Sequence, residues 1–245
     1  FLPYILGDTD TPMPLFVKPD RKISVQDVKN AMRDHYEGTP LDISKDFGAG
    51  PYHTPYRLSP LSFKVGDKEY FNERPISTQQ SGFVFVAQMR STLPDAIGGV
   101  LWFGTDDANM TVFTPVYCCT DKVPVCYSRV DGADYITFSW NSSFWIFNWV
   151  SNMVYPRYDL MIGDVRATQN ELETTFNEAQ EGIESAAAKL LEKDPAKAKA
   201  FLTNYTNMTA QSAFDTWKRL GEFIIVKYND GVVRKMKDGK FERNA

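Results

Sequence analysis

The first periodic stretch of the chain follows Ser24, where apolar residues recur at helical spacing. Ser24 is a favourable N-cap, and Asp27 stands three residues on, at the position that completes a capping box. The pattern predicts a helix from about Val25 to Tyr36. Gly38 lies just past its end, where a left-handed residue commonly closes a helix.

Between residues 61 and 140 the pattern changes to alternation and short apolar runs, which are typical of strands. Gly66-Asp67 separates two alternating stretches and indicates a two-residue hairpin turn. A continuous apolar run near residue 85 predicts a strand that is covered on both faces. The predicted strands are Leu61–Val65, Lys68–Asn72, Phe83–Ala87, Val100–Phe103 and Thr111–Val116.

The sequence pattern of the second half of the chain is typical of helices. A long helical stretch runs from Ser143 to about Lys193, with Pro156 and Gly163 as its predicted kinks or breaks. Asp194 followed by a proline is typical of a helix start. The second helix is expected to continue to about residue 220, with a break near 203–209.

The last predicted element is a hairpin. Its strands are Phe223–Tyr228 and Val232–Met236, and the turn is Asn229-Asp230-Gly231. There is no internal repeat or low-complexity linker, so the sequence predicts a single domain divided by layers. Along the chain, the parts of this domain are an arm, a helix and an ordered loop (1–60), mainly strands (61–140), helices (141–221) and the terminal hairpin (222–245).

Composition supports a folded core and excludes some partners. The chain has 245 residues, of which 43% are hydrophobic and 14% aromatic, enough for a sizeable domain. Its 27 Lys and Arg against 31 Asp and Glu leave a formal charge of −4, so no global basic field would gather phosphates. We therefore expect no nucleic-acid partner. The apolar runs are also too short for a membrane span.

Thiol and imidazole groups are scarce. The three cysteines, Cys118, Cys119 and Cys126, are expected to be free, with a short-loop bridge to Cys126 as the alternative. His35 and His53 are the only histidines, and structural roles are favoured for both. No zinc-binding spacing is present, so we predict no metal and no cofactor.

Two polar segments are candidates for chemistry. Asp106-Asp107 could bind a metal or act as an acid/base pair, but such carboxylates are more often turn or solvent-facing residues. Residues 72–83 place an amide, a guanidinium and hydroxyls directly before an apolar strand. Buried polar groups need partners, so these side chains either bond one another or face a ligand. An Asn amide can stabilise an oxyanion, and an Arg fork can hold a carboxylate.

At this segment the sequence resembles the dipeptidase D family of N-terminal-nucleophile hydrolases. The matching stretches are ordered and spread over nearly the whole chain. They are Phe16–Val28, Met32–Asp42, Asn72–Arg74, Thr78–Phe83, Ala87–Arg90, Leu101–Gly104, Pro115–Cys118, Ser143–Asn148 and Leu220–Tyr228.

The resemblance implies an α+β fold, an α-β-β-α sandwich of the N-terminal-nucleophile hydrolase type, and a cysteine dipeptidase. In such enzymes the first residue of the mature chain is the nucleophile, and its own α-amino group accepts the proton. With a reference pKa of about 8, that amine is a competent base near neutral pH. The scheme needs no catalytic histidine.

The chain departs from this pattern because Phe1 cannot be the nucleophile. We therefore expect it to be the C-terminal part of such a hydrolase, inactive alone, with the Cys on a missing N-terminal portion of the same gene product. Asn72 is expected to contact the oxyanion and Arg74 to hold the substrate carboxylate. Gln79 and Gln80 are expected to support these two side chains.

The expected small-molecule partner is a dipeptide substrate. Homo-oligomer formation stays open, and so does the choice between a bacterial cytoplasmic and an exported location. Two other functions stay open at this point. One is an amidase that cleaves acylated amino acids or bile-acid-like amides, and the other is a non-catalytic structural or binding module.

Overall fold

A computed structural model describes residues 1–57, 62–71 and 74–243. In the described part of the chain, helices account for 51% of the residues and strands for 12%, a mixture compatible with the predicted α+β class. The α-helices are α1 (Leu2–Ile5), α2 (Val25–Met32), α3 (Asp95–Gly98), α4 (Ser143–Val154), α5 (Tyr158–Leu191) and α6 (Pro195–Tyr228). The strands are β1 (Ser62–Val65), β2 (Lys68–Phe71), β3 (Phe83–Met89), β4 (Gly99–Thr105), β5 (Thr114–Tyr117), β6 (Met236–Lys237) and β7 (Lys240–Phe241).

Helix α2 begins as the sequence predicts. The Ser24 hydroxyl accepts from the backbone N of Asp27, whose carboxylate accepts from the backbone N of Ser24, which completes the capping box. The helix ends at Met32, four residues earlier than predicted. By Tyr36 the backbone has turned to a φ of 63°, which a helix cannot accommodate.

The central sheet has the order β3-β4-β5 and is antiparallel throughout. Its register pairs Phe85 with Phe103 and Leu101 with Val116. The β1–β2 hairpin is also antiparallel and turns at Gly66, whose φ is 61°, so the prediction of this hairpin is confirmed.

The two faces of the central sheet differ. Val84, Val86 and Trp102 point to the helical side and belong to the main core. Phe83 and Phe85 alternate with the two valines on β3 and are 62% and 49% exposed. The prediction of a strand covered on both faces is therefore wrong. The run is apolar on both sides, but the described residues cover one face.

The helical layer consists mainly of α5 and α6, of 34 residues each. Lys227 near the end of α6 pairs with Asp164 near the start of α5, so the two helices are antiparallel. Pro156 lies in the 3-10 turn Tyr155–Arg157 that separates α4 from α5, as predicted. Gly163 does not break α5, because the helix runs through it without interruption.

The predicted C-terminal hairpin is wrong. Residues 223–228 form the last turns of α6, which also continues through 203–209 without a break. Trp217, Leu220, Ile224 and Tyr228 are buried at helical spacing, so tertiary packing favours the helix over a strand. The chain does end in a hairpin, but it is the short β6–β7 pair, whose turn holds Gly239 at a φ of 74°.

Aromatic stacking joins the helices to each other. Phe147 of α4 stacks on Trp217 of α6 with ring centroids 4.7 Å apart, and both rings are buried. None of the helices in the described ranges combines the length and apolar character that a membrane crossing requires.

Candidate active site

The predicted site residues lie in the stretch before β3, which we call the site segment (residues 74–82). Arg74 and Gln80 are exposed and Gln79 is half-buried. The Gln79 amide donates to the backbone carbonyl of Arg57, and the Gln80 side-chain oxygen accepts from the Thr78 hydroxyl at 2.5 Å. Asn72 lies outside the described residues.

The site segment is fixed at two points. The backbone N of Ser77 donates to the carbonyl of Asp34 at 3.1 Å, and the fully buried Ser77 hydroxyl donates to Asp107. At the other end, the carbonyl of Gly82 accepts from the backbone N of Asp106 at 3.0 Å. The segment is thus hydrogen-bonded at both points to two adjacent aspartates, Asp106 and Asp107.

These two residues, Asp106 and Asp107, form the corner that follows β4. The sequence favours a turn or solvent-facing pair, and the structure agrees with the turn but not with the exposure. Asp106 is 1% exposed and Asp107 0%. Asp106 has a φ of 69°, a conformation that Asp and Asn adopt more readily than other non-glycine residues.

Helix α4 supplies the partners of Asp106. Its carboxylate accepts from the Asn148 amide at 2.9 Å and from the Ser151 hydroxyl at 2.8 Å. Burial raises the pKa of Asp106 to about 7, against the lowering effect of these two hydrogen bonds. A proton therefore stays on this carboxyl at pH values where an exposed aspartate has lost it.

Asp107 is held from several directions. Its carboxylate accepts from the Tyr56 and Ser77 hydroxyls and, at 3.1 Å, from the backbone N of Asn109. The Asn109 amide donates onward to the Tyr56 oxygen at 2.8 Å. Burial raises the pKa of the Tyr56 hydroxyl well above its usual value, so this group remains a donor.

A guanidinium completes the network. Arg166 of α5 donates to the carbonyl of Asn109 at 2.7 Å and also to its side-chain oxygen. Buried polar groups that satisfy one another in this way form a rigid unit. Its members Tyr56, Asn109 and Arg166 were not among the residues predicted from the sequence to form the site. The available signal was the pair of carboxylates placed directly after a buried strand.

The histidines take no part in a nucleophile pair. His35 is fully buried, with its Nδ1 3.0 Å from Glu37 and its ring edge against Tyr56. His53 is exposed, with its Nδ1 2.6 Å from Asp159. The hydrogen bonds of the described residues bring neither ring to a cysteine.

All three cysteines are free, as expected. Cys118 is exposed, Cys119 half-buried and Cys126 buried. Burial raises the pKa of Cys126 to about 12 and also raises that of Cys119. Both thiols are therefore protonated at neutral pH, and the thiolate is the nucleophilic form. In the described part of the chain, no cluster of three or more His, Cys, Asp or Glu could hold a metal.

Comparison with known proteins places the chain among peptidases. The model of peptidase family C69 matches residues 1–171, and the chain belongs to that family. The dipeptidase resemblance drawn from the sequence is thereby confirmed.

The curated relatives carry dipeptidase names. The probable dipeptidase B of Lactococcus lactis subsp. lactis (strain IL1403) is 27% identical over 223 residues, 87% of this chain and 40% of that protein. The probable dipeptidase of Salmonella dublin is 34% identical over 42% of this chain and 19% of its own length. Dipeptidase A of Lactobacillus helveticus is 26% identical over 56% of this chain and 24% of its own. The chain thus spans well under half the length of these relatives.

Proposed function

We propose that this chain is part of a cysteine-type dipeptidase that hydrolyses dipeptides through an acyl-enzyme, with the nucleophilic thiol on polypeptide outside these 245 residues. The family match and the dipeptidase names of the relatives support peptide hydrolysis. The external nucleophile is supported by the exposed face of the central sheet and by the state of the chain's own thiols, and the substrate contacts are assigned to the site segment.

The observation that carries the proposal is the exposed apolar face of the central sheet. Phe83 stacks with Phe85 and Phe103 along this face, with ring centroids 6.5 and 6.1 Å apart. Met89 extends the exposed row at the other end of β3. Burial of one such side chain stabilises a fold by about 1.5–3 kcal/mol, so several exposed in a row favour a covering layer.

A second β-sheet is the covering layer that fits this face. Sheets pack face to face about 10 Å apart, with the apolar rows of each interdigitating. Helices α2, α4, α5 and α6 already lie on the opposite side of the central sheet. A second sheet with its own helices would complete the α-β-β-α sandwich, and we propose that it carries the nucleophile.

The chain's own thiols support an external nucleophile. Two of the three have a raised pKa, and burial is the largest cause for both. An amino-terminal cysteine differs because its α-amino group, with a pKa of about 8, can take the proton from the thiol. Attack of the thiolate on the dipeptide carbonyl forms a thioester and breaks the peptide C–N bond. The protonated α-amino group returns its proton to the departing nitrogen, and the C-terminal amino acid is released. Water then hydrolyses the thioester and regenerates the thiol.

The site segment would supply the substrate contacts. We propose that the Asn72 amide donates to the oxyanion and that Arg74 holds the substrate carboxylate in a two-point contact. Arg74 is exposed and is thus accessible to a ligand. Gln79 and Gln80 would support these two contacts from the same segment, and the Gln79 amide is itself held by the Arg57 carbonyl.

The test is to produce the natural polypeptide that contains these residues, with its mature amino terminus, and to measure amino-acid release from a panel of dipeptides. We expect turnover that iodoacetamide abolishes, and none from the 245-residue chain alone. Hydrolysis by the isolated chain would refute an external nucleophile. Cleavage of N-acylated amino acids instead of free dipeptides would identify an amidase, and no turnover of either would favour a non-catalytic module.

Two variants test the site residues. Arg74→Ala should lower kcat/KM for dipeptides by about tenfold or more, because a charged two-point contact is lost. Asn72→Ala should lower kcat by about a hundredfold, as expected for an oxyanion donor. The matched control is Arg219→Ala on the exposed side of α6, where the guanidinium donates to the Thr216 hydroxyl at 2.9 Å. Unaltered turnover in both site variants would eliminate the assignment.

A further inference from the structure

We infer that Asp107 is a positioning residue that acts through Ser77 to hold the site segment in its substrate-binding shape. The inference rests on the proposed function, because it assigns to the segment the role of binding the dipeptide. Neither residue is itself placed against the reacting atoms.

The geometry is a directional chain of hydrogen bonds. The backbone N of Asn109 donates to the Ser77 oxygen at 2.8 Å, and the Ser77 hydroxyl donates in turn to the Asp107 carboxylate. A backbone N–H can only donate, so the Ser77 oxygen accepts from Asn109 and its hydroxyl hydrogen is left to point at Asp107, which fixes the direction of this chain. Ser77 is fully buried, so its hydroxyl is satisfied by these two partners within the protein.

The same corner holds the far end of the segment. Asp106 donates its backbone N to the carbonyl of Gly82, five residues beyond Ser77. Within the segment, the backbone N of Ser81 donates to the carbonyl of Thr78 at 3.1 Å, which closes a turn. The corner and this turn together restrict the loop that carries Gln79 and Gln80.

The corner is anchored independently of the segment. Asp107 also accepts from the Tyr56 hydroxyl, and Asp106 accepts from Asn148 and Ser151 of α4. Loss of the Ser77 hydroxyl therefore leaves both carboxylates with partners, and the Asn109 backbone N keeps its direct bond to Asp107 at 3.1 Å. Ser77→Ala should fold, and its effect should be confined to the segment.

A second loop contains the same arrangement and provides a matched control. The backbone N of Asn141 donates to the Ser139 oxygen at 3.0 Å, and the Ser139 hydroxyl donates to Asp131 at 2.7 Å. Ser139 is also buried. Ser139→Ala removes an equivalent hydroxyl far along the chain from the site segment.

The first measurement is hydrogen exchange in the 245-residue chain. Ser77→Ala should accelerate exchange across residues 77–82 by about tenfold, because two of its restraints are lost, while Ser139→Ala accelerates only its own loop. Unchanged exchange over 77–82 in Ser77→Ala would overturn the inference.

The second measurement is dipeptide kinetics in the natural polypeptide. Ser77→Ala should raise KM by about tenfold with kcat changed less than about threefold, the pattern of lost substrate binding, and Ser139→Ala should change neither. Active wild type with an unchanged KM in Ser77→Ala overturns the positioning role alone. Wild type without dipeptidase activity overturns the proposed function and this inference with it, so the two failures are distinguishable.

Discussion

The ammonium of Lys29 lies 3.6 Å from the centroid of the Trp102 ring, and both side chains are withdrawn from solvent. The amine also donates to the side-chain oxygen of Asn177 at 3.2 Å. This contact joins α2 to β4 and α5, and it places a cation in the core between the sheet and its helices. The ring face and the amide partly replace the water that the ammonium has lost.

Lys29→Met should change the pH dependence of stability. Burial lowers the pKa of Lys29 to about 8, against the raising effect of Glu173, and an unfolded lysine has a pKa of about 10.4. Between these values the unfolded chain binds more protons, so wild-type stability rises with pH from about 8 to about 10.4. Urea unfolding of both proteins should show this rise, on the order of 2–3 kcal/mol, only in the wild type. Parallel curves would contradict the lowered pKa of Lys29 in the folded chain.

Glu173→Gln should destabilise the fold strongly. Arg33 and Glu173 form a buried, two-point ion pair, and the carboxylate also accepts from the backbone N of Phe113 at 2.8 Å. The substitution leaves the guanidinium without its counter-charge in the core, which costs about 3–5 kcal/mol. The free energy of unfolding from denaturant titration measures the loss. The acid-to-amide control Asp121→Asn, in an exposed pair with Lys199, should have little effect.

Gly221→Ala should overpack the contact between α6 and α4. A Cβ at Gly221 would lie 2.3 Å from Cζ3 of Trp149, so the indole would have to move. We expect a loss of about 1–3 kcal/mol in unfolding free energy. Gly182→Ala on α5 is the control, since its Cβ meets nothing within 4 Å. It should stabilise the helix by about 0.5–1 kcal/mol, and equal effects of the two substitutions would argue against the close approach.

Asp106→Asn should stabilise the protein at neutral pH. The folded-state pKa of about 7 lies above the unfolded value of about 3.9, so the folded chain binds more protons and wild-type stability falls as pH rises from about 4 to 7. The amide oxygen can accept from Asn148, and its NH2 can donate to the Ser151 oxygen, whose hydroxyl then donates to the Phe147 carbonyl. Asn also adopts the same left-handed backbone and does not titrate. The advantage of Asn should grow across this window to on the order of 3 kcal/mol.

The control for this prediction is Asp131→Asn. Hydrogen bonds from Ser139 and Asn141 hold the pKa of the exposed Asp131 below its usual value, so it is ionised across most of the window. Its stability curve should run parallel to that of the wild type above about pH 5. A parallel curve for Asp106→Asn as well would mean that the Asp106 carboxyl does not titrate in this range.

Local signals in the sequence were sufficient where the determinant is local. Ser24 and Asp27 specify the start of α2, Gly66-Asp67 specifies the β1–β2 turn, and Pro156 separates α4 from α5. Each acts through its own backbone or its immediate neighbours. The family resemblance was also readable, because it depends on the order of residues and not on their contacts.

The site could be predicted only as a segment. Residue types in 72–83 mark it as polar, but the burial of Asp106 and Asp107 depends on contacts from Tyr56, Asn148 and Ser151. These partners are more than forty positions away in the sequence. No local pattern encodes such a contact, so an exposed turn was the reasonable expectation for the pair.

The sequence alone determined the starts of α2, α4 and α6, the β1–β2 turn, the mixture of helices and strands, and the family, since these depend on neighbouring residues and their order. The tertiary structure decided which face of β3 is buried, that residues 223–228 are helical, and where the two carboxylates lie. The physical reason is that burial is a property of the assembled chain. Phe83 and Val84 are similarly apolar neighbours, and only the position of the helices separates an exposed ring from a core valine.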